Sequence, residues 1–100
     1  MKHAYIVEDT RNVIFEDFRL EYRLLRRMDE SAGPMYGLFC KATRWGLAIS
    51  EYRNPTMTSC EAAARRLFEL AVENAVFPDH IDDVAQDLQG ILYLPNAAGL

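Results

Sequence analysis

Three groups of residues in this chain combine chemical type with a suggestive spacing. His80, Asp83 and Asp87 stand at i, i+3 and i+7 of a helical pattern, which sets an imidazole and two carboxylates along one flank. Such a set could hold a divalent metal, or the aspartates could favour the protonated histidine. A helical zinc pair ordinarily brings a second His or Cys, and this stretch has none, so a solvated acidic helix face is the plainer reading. Cys40 and Cys60 are the second group. A nucleophilic cysteine needs a base and an electropositive pocket. Cys40 lies mid-strand between Phe39 and Lys41 and reads as a small buried residue, whereas Cys60 falls in the first turn of a helix, where the dipole favours thiolate, but on the apolar stripe, where it would be packed and inert.

The third group is basic and aromatic: Arg23, Arg26, Arg27, Lys41, Arg44 and Arg53, interleaved with Tyr22, Tyr36, Trp45 and Tyr52. On one sheet face these could hold single-stranded nucleic acid, rings on bases and cations on phosphates. Glu21, Asp29, Glu30 and Glu51 dilute the set, and Lys or Arg on strands also guards sheet edges. The chain has no Gly-rich phosphate loop, Ser-His-Asp set, nucleophile elbow or paired acid motif. It is read as non-enzymatic and without a cofactor.

The elements that must position these residues follow from periodicity. From Thr58 to Leu92 the apolar residues recur at helical spacing on either side of Pro78, which predicts two helices. Thr58 and Glu61 have the spacing of a capping box. Cys60, Ala63, Ala64, Leu67, Phe68, Ala71 and Ala75 make the apolar stripe of the first helix, and Ile81, Val84, Ala85, Leu88, Ile91 and Leu92 that of the second, with Gly90 a possible terminator. Asp79, Asp82 and Asp83 suit the second helix's positive end.

Strands precede them. Ala4–Glu8 and Val13–Phe15 around a polar turn at Asp9–Asn12 could form a first hairpin within residues 1–17. Phe18, Leu20, Tyr22 and Leu24 alternate with Arg19, Glu21 and Arg23 in a half-buried strand, and Leu24-Leu25 breaks the phase as a bulge or strand end would. Asp29–Pro34 is a turn, Met35–Thr43 returns with Gly37 suited to a close backbone neighbour, Arg44-Trp45-Gly46 turns again, and Leu47–Arg53 ends at Asn54-Pro55-Thr56. Strands followed by helices predict one α+β domain over residues 1–100: a three- or four-stranded antiparallel meander, residues 18–53 at its heart, with the helix pair of residues 58–92 on one face. The uncharged tail, residues 93–100, is expected to be loosely held.

Composition narrows the classes further. Half the residues are hydrophobic and about a quarter charged, as in an ordinary globular domain of 100 residues. The formal charge of −4 is uneven, for residues 1–50 carry eight Lys or Arg against seven Asp or Glu, and residues 51–100 three against eight. An acidic chain disfavours nucleic acid and anionic membrane as general partners. No apolar run is long enough for a membrane helix, the first residues do not read as a signal peptide, and two isolated cysteines suit a reducing cytoplasm.

The pieces Tyr22-Arg23-Leu24-Leu25, Tyr36-Gly37-Leu38 and Pro78-Asp79-His80-Ile81-Asp82-Asp83-Val84-Ala85-Gln86-Asp87-Leu88 resemble a small family of uncharacterised bacterial proteins of about this length, over residues 18–92. The resemblance implies a single small domain and no activity, substrate or cofactor.

The sequence therefore predicts a small cytoplasmic interaction or regulatory protein, its partner another protein or a second copy of itself. Trp45, Tyr52, Phe77 and Tyr93 exceed what one thin core needs, and Trp45, Tyr52, Arg26 and Arg27 are the residues expected at the partner surface. Single-stranded nucleic-acid binding through the strand face is the alternative.

Overall fold

A computed structural model describes residues 5–29 and 33–92, and the expectations for the tail and for part of the Asp29–Pro34 turn lie outside them. The elements are β1 (Tyr5–Phe15), β2 (Phe18–Asp29), β3 (Gly33–Arg44), β4 (Leu47–Thr58), α1 (Glu61–Glu73), a single 3₁₀ turn (Pro78–His80) and α2 (Ile81–Leu92). The four strands form one antiparallel sheet in the order β1-β2-β3-β4. The α+β meander is thus as expected, with four strands. The helices cover one face, and the 18 Å short dimension is that of a single sheet under a single helical layer.

Alternation on the central strands sorts the faces. Leu20, Tyr22 and Leu24 stand opposite Ala42, Cys40 and Leu38, and all six are buried beneath Ala64, Leu67, Phe68, Ala71 and Ile81. Ala63, Ala64 and Ala71 are the small residues that bring α1 close to this sheet. After α1 the chain reverses in a Schellman turn: Val76 N–H donates to the Ala71 carbonyl (3.0 Å) and Ala75 N–H to that of Val72 (3.2 Å), with Ala75 in the left-handed region at φ 49°. Pro78, which lacks the donor a helix start cannot use, opens the 3₁₀ turn.

Several boundaries differ from the sequence reading, each for a tertiary reason. Asp9–Asn12 is strand, not turn, because β2 offers an unbroken partner from Phe18 to Arg27 for the whole of β1. The first hairpin turn is Glu16-Asp17 instead. The phase break at Leu24-Leu25 is absorbed across the ladder, where Glu8 bulges between Val7 and Asp9 while β2 runs on to Asp29. Pro55 does not end β4, which continues to Thr58 through a bulge between the pairs Tyr36–Thr58 and Leu38–Asn54. A Cβ on Gly37 would overlap the Asn54 carbonyl oxygen and the Pro55 backbone, so glycine is what lets that bulge close on β3. Gly90 does not stop α2, which extends to Leu92.

The capping box does not form. Cys60 takes the N-cap position without a side-chain bond, and Thr58 Oγ1 accepts instead from the Cys60 N–H (3.0 Å) in a turn two residues long. Cys60 is accordingly exposed and outside the buried stripe on which the sequence had placed it.

Candidate interaction surface

One rung of the sheet makes most of the polar contacts to the helical layer. Arg11, Tyr22, Cys40 and Tyr52 stand side by side across the four strands. Arg11 lies over the Phe68 ring (5.6 Å), Tyr22 Oη donates to the Val76 carbonyl (2.8 Å), Cys40 Sγ approaches the same oxygen (3.8 Å), and Tyr52 Oη donates to Asp82 (2.8 Å). Burial pushes the Cys40 thiol up to about 12. Burial also raises Tyr52 to about 12, with the Asp82 bond adding to it, and raises Tyr22 further still, helped by Cys40. A thiol held protonated in this way is a structural residue, not a nucleophile.

The His80, Asp83 and Asp87 set stays on the surface. His80 sits in the 3₁₀ turn with Nδ1 3.8 Å from Asp83, both strongly exposed, and Asp87 is exposed one turn on. Among the described residues no three His, Cys, Asp or Glu side chains group closely enough to hold a metal ion.

The basic and aromatic set is divided between faces. Arg23, Arg27, Lys41 and Arg53 share the open face, where Arg19 joins them. Tyr22, Tyr36 and Tyr52 point to the helical layer, and Arg26 and Arg44 share their side of the ladder. The open face keeps Phe39, only 6 % exposed because the guanidinium groups of Arg23 and Arg53 lie over its ring at 5.0 and 5.3 Å. Glu21 accepts from Arg23 (2.7 Å) and Glu51 from Arg53 (3.3 Å). The open face therefore does not present its cations together with a ring free to stack.

The four residues expected at a partner surface are also separated. Trp45 occupies the β3–β4 turn, Arg26 and Arg27 lie toward the far end of β2, where Arg26 pairs with Glu8 (2.9 Å), and Tyr52 is tied to Asp82. Of the other rings, Phe77 packs edge-on against Phe15 and Phe18 at 6.1 and 4.9 Å, and Tyr93 lies outside the described residues.

Trp45 alone of these stands out, at 74 % exposure. It and Gly46 both have positive φ, 53° and 79°, in a two-residue turn between the paired Arg44 and Leu47. Asn-Gly is the usual solution there, and tryptophan is a costly one. The Arg44 guanidinium lies 4.2 Å from the indole centroid and is held from below by Asp17 (3.3 Å). Leu47 and Ile49, on the strand that leaves the turn, are exposed as well. Sequence reasoning passed over these two as ordinary strand residues. Ile49 is the unpaired residue of a bulge opposite Ala42 and Thr43, and Leu47 lies beyond it opposite Arg44 beside the turn, a placement with no local sequence signal.

No protein-family model matches the chain, and no curated protein or solved structure matches it. Among the described residues no helix is long and apolar enough to cross a membrane.

Proposed function

We propose that this chain is a small non-enzymatic interaction domain that binds a protein partner through its β3–β4 turn, in the reducing cytoplasm. The observation that carries the reading is Trp45: a bulky side chain held in left-handed backbone, stacked with Arg44 and given to solvent beside Leu47 and Ile49. Left-handed backbone at a non-glycine residue costs about 1–3 kcal/mol, and burial within the chain does not repay it. Trp and Arg are also the residue types that anchor protein interfaces. The nucleic-acid alternative has weaker support, since its tyrosines face the helices and Phe39 is already covered.

The test separates fold from binding. Trp45→Asn supplies the Asn-Gly pair that this turn favours, so it should fold at least as well as the parent chain. Tagged parent chain should retain a protein from host lysate after nuclease treatment, and Trp45→Asn should lose it with an unchanged or higher unfolding midpoint. Equal recovery by both chains would count against the turn, and recovery that disappears with nuclease would favour the basic open face.

A further inference from the structure

The edge strand β1 carries four of the eight exposed large apolar residues among those described: Ile6, Val7, Ile14 and Phe15. Its sequence, Tyr-Ile-Val-Glu-Asp-Thr-Arg-Asn-Val-Ile-Phe, has the same chemical character read from either end, with Thr10 at the centre and opposite charges, Asp9 and Arg11, on its two sides. Within the described residues β1 pairs only with β2, so one row of its backbone groups points away from the sheet. The Thr10 N–H is one of these: it donates to its neighbour's carboxylate, Asp9 Oδ1, at 2.8 Å. The opposite edge is guarded differently, since β4 carries Pro55 and two register breaks.

We propose that β1 recognises a second copy of itself, two chains pairing antiparallel about Thr10 to join their sheets into one of eight strands. Antiparallel pairing at this centre sets Asp9 opposite Arg11 twice, which is the charge complementarity that a twofold interface requires. The bulge fixes the rest of the register. With Glu8 carried as the extra residue, as it already is against β2, Val7 meets Asn12, Ile6 meets Val13 and Tyr5 meets Ile14. Every pair then shares a face: Ile6 and Val13 stand opposite Arg26 and Leu20 on the helix side, Tyr5 and Ile14 opposite Arg27 and Arg19 on the open side. The Thr10 N–H exchanges the Asp9 carboxylate for the other chain's backbone, and Asp9, which within its own chain stands 3.5 Å from Arg11 and 3.6 Å from Arg65, turns its released oxygen to the second chain's Arg11. This interface lies at the edge away from Leu47 and Ile49 and does not rest on the turn reading.

Reversing each charge tests the register. The full chain should sediment at twice its monomer mass at high concentration. Asp9→Arg alone and Arg11→Asp alone, each setting like charges opposite one another twice, should sediment as monomers. An equimolar mixture of the two variants, in which opposite charges face again, should return to the dimer mass. A parent chain that stays monomeric at every concentration, or a dimer indifferent to both reversals, would overturn the proposal. Should either variant fail to fold, amide exchange of the parent chain decides: protection within Tyr5–Ile14 that fades on dilution is expected, and concentration-independent exchange there refutes it.

Discussion

The two faces of the sheet use the same strands for opposite purposes. On the covered face the Arg11, Tyr22, Cys40 and Tyr52 rung turns polar atoms toward the helical layer, where the Val76 carbonyl and Asp82 receive the phenols. On the open face the neighbouring rung, Thr10, Arg23, Phe39 and Arg53, does the reverse, and charged side chains roof an aromatic ring. Polar residues on the first face are anchors whose partners are fixed by tertiary contact. Those on the second cover apolar surface with their stems and keep their charges in water. The charge balance follows the layers, for α1, the 3₁₀ turn and α2 hold seven acids against Arg65 and Arg66, while the open face is basic on balance.

The largest expected effect tests whether the faces differ in packing. Phe68→Ala, in a closed layer that cannot collapse fully, should cost about 3–5 kcal/mol in urea unfolding. Phe39→Ala, covered only by side chains that can settle, should cost about 1–3 kcal/mol. Equal losses would mean that the open face is packed as tightly as the covered one, and the contrast would fail.

A middle-sized effect sharpens the comparison through pH. Tyr22, Cys40 and Tyr52 all belong to the covered face, and each is harder to deprotonate folded than unfolded. The unfolded chain therefore releases these protons first, near the ordinary values of 9.0 for the thiol and 10.0 for the phenols. The stability they confer is complete below that range and declines as pH rises toward 12, with the Cys40 part declining first. Urea midpoints measured at pH 8 and pH 11 should fall, and Tyr52→Phe should make the fall shallower. An unchanged slope in that variant would show that burial and the Asp82 bond do not make Tyr52 harder to deprotonate in the folded chain. The smallest effect concerns the turn that presents Val76 to the sheet. Ala75→Gly relieves left-handed backbone and should raise stability by about 0.5–1 kcal/mol, read from the thermal midpoint. A loss instead would assign Ala75 a packing role that outweighs its strain.

Much of this arrangement could be read from residue order. The α1 stripe of Ala63, Ala64, Leu67, Phe68 and Ala71, the Trp45-Gly46 turn, the role of Pro78 and the close approach at Gly37 all follow from local rules of spacing and backbone freedom. The candidate surface was half legible: Trp45 stood out as a surplus ring, but Leu47 and Ile49 did not, because a shift in register against β3 decides how they are placed. Asp9–Asn12 looked like a turn by composition and is strand by pairing.

What the sequence determined by itself is the order of the three later strands and two helices and which residues of each are apolar, since periodicity and turn chemistry act within a few residues. Only the tertiary structure decided which face a polar residue serves. The bulge at Glu8 changes the side on which Val7 and Tyr5 emerge, and the break at Ile49 does the same for Ala48 and Leu47, although neither has a local signature. The reason is geometric: side chains alternate along a strand, so one unpaired residue exchanges the two faces for everything beyond it.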